Sequence, residues 1–141
     1  ADVMEVRRML EGQAVRLACT RRTAENIREI NAILEETNKR LSKKQSIERE
    51  DEAFHLAIFS ATKNDILLRV ARSIYELSRY RRKDYFADQN RGRQSYEDHC
   101  TILEAIEERR VGLAEQQMNA HLSRTVEAWQ SLLGETKVTK R

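Results

Sequence analysis

The sequence predicts an all-α protein, folded as an antiparallel bundle of about six helices. Proline is absent from the 141 residues and glycine occurs only four times, which leaves too few turn-forming residues for a β-rich fold. Hydrophobic residues make up 40% of the chain and charged residues 35%, a balance typical of a soluble domain with long charged helices. Apolar residues also recur at helical spacing, and we expect a single domain over residues 1–134.

The first three helices follow from this spacing and from capping residues. An apolar stripe predicts a helix from Val3 to Thr20. Thr23 is a typical N-cap for a second helix, and Ser46 is predicted to cap a third helix that contains Phe54 and Ile58.

A fourth helix is predicted after Asn64 or Asp65, either of which can act as its cap. Its pattern extends to about Phe86. The apolar residues that we expect to face the core of the bundle are Ile66, Leu67, Val70, Ile74 and Leu77.

The last two helices are bounded by glycines. Gly92 interrupts the apolar pattern, and a fifth helix is predicted from Gln94 to Arg109. A sixth helix is predicted from Leu113 to Leu133, with Gly134 as its C-cap and residues 135–141 as a flexible tail.

Several classes of protein are disfavoured by the composition. No apolar run has the length of a membrane span, and the first residues lack the apolar core of a signal peptide. A net charge of +3 is weak support for nucleic-acid binding, and acidic residues surround the basic run at 79–83.

We expect a cytoplasmic protein whose cysteines, Cys19 and Cys100, are free thiols. Because the chain opens inside a predicted helix without an initiator Met, we expect it to be part of a longer protein.

The most informative residues are polar side chains on the inward faces of the predicted helices. Asp51 and His55 lie four residues apart on the face that also carries Phe54. His99 and His121, the other two histidines of the chain, fall on or beside the apolar stripes of their own helices. Buried ionisable groups are costly unless they are paired or bound to a metal.

One divalent cation would offset this cost for all four groups. Three neutral imidazoles and a carboxylate suit Zn, Ni, Mn or Fe(II), and they leave positions free on a six-coordinate metal for an oxygen of a ligand. The alternative is that each histidine is a hydrogen-bonded core residue. Spacing alone does not decide between these interpretations.

Two arginines are also predicted to face inward. Arg7 lies on the buried stripe of the first helix, and Arg81 continues the stripe of Val70 and Leu77 on the fourth. An inward guanidinium requires an anion, which is either an internal carboxylate such as Glu11 or an acidic ligand.

Three segments together resemble one known family. EVRRMLEGQAVRLA resembles the opening helix of the FCD domain, the C-terminal effector domain of FadR-type regulators in the GntR superfamily. DEAFHLAIFSATKNDIL resembles its Asp-x-x-Phe-His-x-x-Ile element and the turn that follows. EDHCTILEAIEERRVGLAEQQMNAHL resembles its closing pattern, so the resemblance extends from about Val3 to Leu133.

The resemblance implies that Asp51, His55, His99 and His121 coordinate a divalent metal, with Zn or Ni favoured, at the floor of an effector cavity. It also implies that Arg7 faces this cavity, where a small organic acid would bind. A homodimer is expected. DNA binding would belong to an N-terminal winged helix-turn-helix, which this sequence does not contain.

Two other functions stay open from the residues alone. A metal with free positions could activate water, which would make the chain a hydrolytic enzyme. The sequence lacks a His-Glu-x-x-His motif, however, and it holds only one Glu-x-x-His element, Glu52 to His55. The other alternative is a dimerisation bundle that binds no metal.

Overall fold

The computed structural model describes the backbone of residues 2–139 and the side chains of residues 2–132. In this part of the chain all regular secondary structure is helical, as predicted. Seven helices follow one another: α1 (Asp2–Arg21), α2 (Ala24–Ser42), α3 (Glu48–Ala61), α4 (Asp65–Leu77), α5 (Arg79–Tyr85), α6 (Gln89–Glu107) and α7 (Val111–Thr139). None of these described helices has both the length and the apolar character that crossing a membrane requires.

Side-chain caps begin two helices where the sequence predicted them. The Thr23 hydroxyl accepts a hydrogen bond from the Asn26 backbone N–H at 3.2 Å, and the Asn26 side chain accepts one from the Thr23 N–H at 2.9 Å. This reciprocal capping box satisfies two otherwise unpaired donors at the start of α2. Asn64 caps α4 by accepting from the Leu67 N–H at 3.0 Å.

The predicted fourth helix is two helices, α4 and α5, which meet at Ser78. The carbonyl of Tyr75 accepts a hydrogen bond from Arg82 Nη2 at 2.7 Å and another from the Ser78 hydroxyl at 3.2 Å. Together with the Ser78 backbone N–H, these side-chain donors satisfy the Tyr75 carbonyl, which in a continuous helix would accept the N–H of residue 79.

Gly92 lies inside α6 and does not break the pattern, contrary to the prediction. The helix begins earlier because the Asp88 carboxylate caps it, accepting from the backbone N–H groups of Asn90 and Arg91 at 2.8 and 3.3 Å. A Cβ atom at Gly92 would lie 3.2 Å from Leu41 Cδ2. The glycine therefore serves the close approach of α6 to α2.

Helix α7 continues through Gly134 to Thr139, so this glycine does not end the helix as predicted. Residues 140 and 141 of the predicted tail lie outside the described residues. The division of the chain into a domain over 1–134 and a flexible tail stays a prediction.

Helix α1 packs along α7 and α3, while α2 lies against α3 and α6, and α6 against α7. The main core lies between these helices, and a smaller core under α4 consists of Ala14, Phe59, Ala71 and Tyr75. This arrangement brings α1, α3, α6 and α7 around one interior region.

Helix α4 turns inward a different face from the predicted one. Its buried residues are Ala71 and Tyr75, and Leu67 packs against them as predicted, whereas Val70 and Leu77 are exposed. The reason is a polar contact, since the Tyr75 hydroxyl donates to the buried carboxylate of Glu11 on α1 at 2.9 Å. The number of large apolar residues alone favoured the face that carries Val70 and Leu77.

Candidate metal centre

Four side chains from three helices meet inside the bundle. Asp51 and His55 come from α3, His99 from α6 and His121 from α7, and all four are buried. One potential ligand atom of each residue lies within 4.8 Å of the corresponding atoms of the other three. The structure thus brings together all four residues that the sequence singled out.

His55 presents one nitrogen to a partner and the other to the cluster. Its Nδ1 lies 2.5 Å from Glu11 Oε1 on α1. Its Nε2 is 3.5 Å from Asp51 Oδ1, yet this nitrogen is fully buried and makes no hydrogen bond. A buried nitrogen without a partner is costly, and a bound cation would supply the missing interaction.

His121 is oriented in the same way by a second carboxylate. Its Nδ1 lies 2.8 Å from Asp98 Oδ2, and Arg124 holds Asp98 from the far side. The Nε2 of His121 lies 3.3 Å from the Nε2 of His99. At this distance one imidazole can donate an N–H to the other, or both nitrogens can bind one cation.

His99 stacks on Phe54 and lies close to the carboxylate of Asp51. Its ring lies parallel to that of Phe54, with centroids 3.9 Å apart. Its Nε2 is 3.5 Å from Asp51 Oδ1, the same oxygen that faces His55. The three imidazole Nε2 atoms and one carboxylate oxygen therefore form a compact set of donors.

The protonation states of three of the four side chains suit metal ligation. Burial, His121 and His55 hold the pKa of His99 well below its usual value. Burial is also the main cause that lowers the pKa of His121. Burial opposes ionisation of Asp51, but His55 and His99 outweigh it and lower the pKa of this carboxyl. Burial also lowers the pKa of His55, but Glu11 and Asp51 outweigh it and raise the pKa, so a metal that binds His55 must displace a proton.

Arg7 faces inward as predicted, and it forms the internal ion pair that the sequence left open. Its Nε donates to Glu11 Oε2 at 2.7 Å, and its guanidinium lies over the Tyr75 ring. Burial alone would raise the pKa of Glu11, but Arg7 and His55 lower it to about 2. Glu11 is therefore a charged link between Arg7 and the Nδ1 side of His55.

A cavity of about 10 Å³ lies beside the cluster. Arg7, Asp51, His121 and Trp129 are among the residues that line it. The indole Nε1 of Trp129 is buried and has no hydrogen-bond partner, so it is a free donor at this cavity. The space admits about one water molecule.

The prediction that Arg81 faces inward is wrong, because Arg81 is exposed and lines a surface groove of about 510 Å³. It was placed by extending the stripe of Val70 and Leu77, which itself faces outward. The buried arginine is Arg82, which follows the inward Tyr75 by seven residues and donates to Glu52 Oε1 at 3.2 Å.

Glu11, as a partner of His55, and Asp98, as a partner of His121, were missed by the sequence interpretation. Glu11 lies four residues after Arg7, a spacing that indicates an ion pair but not a contact to another helix. Asp98 directly precedes His99, and no local spacing links it to His121 on α7. Nothing in the sequence indicated that Trp129 lines the cavity, because it lies in the apolar stripe of its helix like an ordinary core residue.

The fold and the buried cluster define an all-helical domain with a candidate metal site, and comparison with known families identifies its family. The family model of the FCD domain matches residues 2–124. The chain belongs to the FCD domain family, which its motifs indicated.

Curated relatives agree with this assignment. The Nta operon transcriptional regulator of Aminobacter aminovorans is 33% identical over 111 residues, which cover 77% of this chain and 51% of the relative. LutR, an HTH-type transcriptional regulator of Bacillus subtilis, is 31% identical over 127 residues, 86% of this chain and 58% of the relative. The Uxu operon regulator of Haemophilus influenzae is 27% identical over 132 residues, 86% of this chain and 47% of the relative. The chain spans about half the length of these relatives.

Solved structures support the fold. McbR/YncC of E. coli superposes with a TM-score of 0.81 at 18% identity, covering 93% of this chain and 67% of that protein. A GntR-family transcriptional regulator of Pseudomonas syringae pv. tomato gives a TM-score of 0.77 at 21% identity, covering 99% of this chain and 59% of the other.

Proposed function

We propose that this chain is the effector-sensing domain of a FadR-type regulator, and that it binds one divalent metal and a small organic acid. The observation that carries the proposal is the buried set of Asp51, His55, His99 and His121 donors, with His55 Nε2 unpaired at its centre. In the parent protein, acid binding would control DNA binding by a winged helix-turn-helix. The curated relatives, named as regulators, support this part.

The donor set favours Zn or Ni among the first-row metals, and Mn or Fe(II) are the other candidates. When bound, the metal would act as a Lewis acid that accepts carboxylate or hydroxyl oxygens of the acid. Glu11 and Asp98 would hold His55 and His121 with Nε2 turned toward the ion, as outer partners of ligating histidines commonly do.

Arg7 has donors left for an acid. Glu11 engages its Nε, and Nη1 makes only a 3.6 Å contact to Met4 Sδ. A guanidinium carries five N–H donors, so Arg7 can neutralise Glu11 and still pair with a second carboxylate. Trp129 Nε1 is a further donor on the same cavity.

The size of the cavity links binding to a change of conformation. A space of about 10 Å³ is too small for an organic acid. Trp129 lines both this cavity and the surface groove of about 510 Å³, so displacement of its indole would join the two spaces. A ligand that binds only the opened form shifts the population toward that form, as a sensor requires.

A hydrolytic enzyme is disfavoured because the nearby carboxylates are engaged. Glu11 and Asp98 each bind an arginine and a histidine. Glu52 binds Arg79 and Arg82, and Glu97 is exposed. Glu11, Asp98 and Glu52 are therefore not free to act as a general base on a metal-bound water, and Glu97 faces solvent rather than the cluster.

Calorimetric titration of the metal-loaded protein with acetate, glycolate and gluconate tests the proposed function. We expect saturable binding of at least one acid, and none of the corresponding neutral amides. Trp129, the only tryptophan, should report the same event through a change in its fluorescence. Arg28→Gln is the control and should leave binding unchanged, because Arg28 is exposed on α2 and lines neither the cavity nor the groove. No saturable signal from any acid, with metal present, would contradict the effector proposal.

The role of Asp98 gives a separate prediction. Asp98→Asn removes the charged acceptor of His121 Nδ1 and is expected to weaken metal affinity by roughly 10–100-fold. Competition with a chromophoric chelator measures this change. The exposed neighbour Glu97 provides the matched control, and Glu97→Gln should keep wild-type affinity. Equal affinities for the two variants would exclude an orienting role of Asp98.

A further inference from the structure

The surface groove of about 510 Å³ lies between α1, α7 and the short helix α5. Apolar side chains form one part of its lining, and these are Met4, Met9, Val126 and Trp129. Met4 and Trp129 are buried, whereas Met9 is 66% exposed. Methionine side chains are flexible and adapt to an apolar ligand, and ligand sites commonly have volumes of roughly 300–1,000 Å³. The groove therefore suits a small organic molecule with an apolar part.

The groove also carries an excess of positive charge. Arg8 of α1 and Arg81 of α5 line it, against one carboxylate, that of Glu5. Within the described part of the chain, Arg81 makes no hydrogen bond or ion pair, and Arg8 makes only a 3.4 Å contact to the Ser123 hydroxyl. Two guanidinium groups with free donors beside apolar side chains suit an anionic group at the end of an apolar chain.

Trp129 lies between the groove and the cavity beside the metal cluster, because its side chain lines both spaces. Its indole Nε1 is buried without a hydrogen-bond partner, and an unpaired buried donor costs free energy that a ligand oxygen would offset. Arg7 is a second donor on the cavity side. A ligand that displaces the indole would therefore meet hydrogen-bond donors at one end and the apolar groove at the other.

We propose that the effector is an extended organic acid that occupies both spaces, an inference that rests on the proposed function. Its first carboxylate binds in the cavity, where Arg7 and the metal cluster lie. Its apolar chain lies along Met9 and Val126 in the groove, and a second carboxylate pairs with Arg8 and Arg81. A short hydroxy acid would fill only the cavity. The groove therefore selects acids that carry an apolar chain and a second anionic end.

Calorimetric titration of the metal-loaded protein with suberate and with monomethyl suberate tests the second carboxylate. The two probes share one chain, but the ester lacks one charge. Arg8→Gln combined with Arg81→Gln should weaken suberate binding by about fivefold and leave binding of the ester unchanged, because exposed ion pairs contribute modestly to affinity. Lys83→Gln is the matched control, since it removes an exposed positive charge of α5 that lies outside the groove. This variant should bind suberate as the wild type does.

Met9→Ser tests the apolar part of the groove. The substitution should weaken binding of suberate and of its ester alike, by roughly fourfold, the effect of about one methylene group that loses its apolar contact. Glycolate binding should stay unchanged, because glycolate has no chain that could reach the groove. Met9 is exposed, so circular dichroism should show an unchanged helical fold.

The results distinguish a failure of this inference from a failure of the proposed function. If glycolate and suberate bind but the groove variants change neither affinity, or weaken both equally, the groove holds no part of the ligand and only the proposed function stands. Equal suberate affinity with and without metal would also overturn the inference, since the ligand would then not extend from the groove to the cluster. Absence of binding by glycolate, suberate and the ester to the metal-loaded wild type would contradict both.

Discussion

Asp51→Asn is expected to abolish tight metal binding by the domain. Asp51 supplies the only carboxylate among the four clustered donors, and its Oδ1 lies 3.5 Å from the Nε2 atoms of both His55 and His99. Loss of an outer partner already costs about 10–100-fold in metal affinity, so loss of a charged ligand should cost more than about 100-fold.

Thermal unfolding measures the loss of metal binding as a smaller metal-dependent shift in Tm. At a free metal concentration 100 times the dissociation constant, binding stabilises the wild type by about 2.7 kcal/mol, which corresponds to a rise in Tm of roughly 10 °C. With affinity reduced 100-fold, the same metal concentration contributes only about 0.4 kcal/mol. Elemental analysis after dialysis should give about one equivalent for the wild type and none for Asp51→Asn.

Glu52→Gln is the matched control for this experiment. It removes a carboxylate one residue away on the same helix, but this carboxylate binds Arg79 and Arg82 rather than the cluster. The variant should keep its metal and its metal-dependent shift in Tm. If Asp51→Asn retains as much metal as Glu52→Gln, or if the wild type gains no stability from any of the candidate metals, the metal site does not exist and a metal-free bundle is the better interpretation.

The sequence was sufficient to predict the cluster because its members lie on helices with unambiguous apolar stripes. Asp51 and His55 share a face with Phe54, and His99 shares one with Ile102, so their inward direction follows from spacing. The family resemblance then indicated that the separate helices converge, which spacing within one helix cannot show.

Helix α4 shows why the same reasoning failed elsewhere. Val70 and Leu77 face outward, while Tyr75 faces inward because its hydroxyl donates to a residue 64 positions earlier, Glu11. A stripe of apolar residues indicates a face that avoids water, but not whether the same chain or a second copy covers it. Because the wrong face of α4 was taken as inward, the sequence also predicted that Arg81 is buried, whereas the buried arginine is Arg82.

The second large effect is expected from Arg7→Met, which should lower the free energy of unfolding by about 3–5 kcal/mol. Arg7 and Glu11 are both buried, and their 2.7 Å ion pair neutralises the carboxylate in the interior. Methionine fills much of the same volume but leaves the charge of Glu11 without its cation. Urea unfolding with a chelator present measures the effect without a contribution from metal.

A double-mutant cycle separates the unpaired charge from loss of packing. If the buried carboxylate causes the destabilisation, Arg7→Met with Glu11→Gln should be more stable than Arg7→Met alone, although Gln offers His55 a weaker partner. Arg8→Met is the control, since Arg8 is exposed and makes only a 3.4 Å contact to Ser123, and its effect should lie within about 0.5 kcal/mol of zero. A double variant no more stable than the single one would mean that Arg7 acts through its packing. The carboxylate of Glu11 would then be balanced by His55, and the charge of the Arg7 guanidinium would be available to pair with an acid in the cavity.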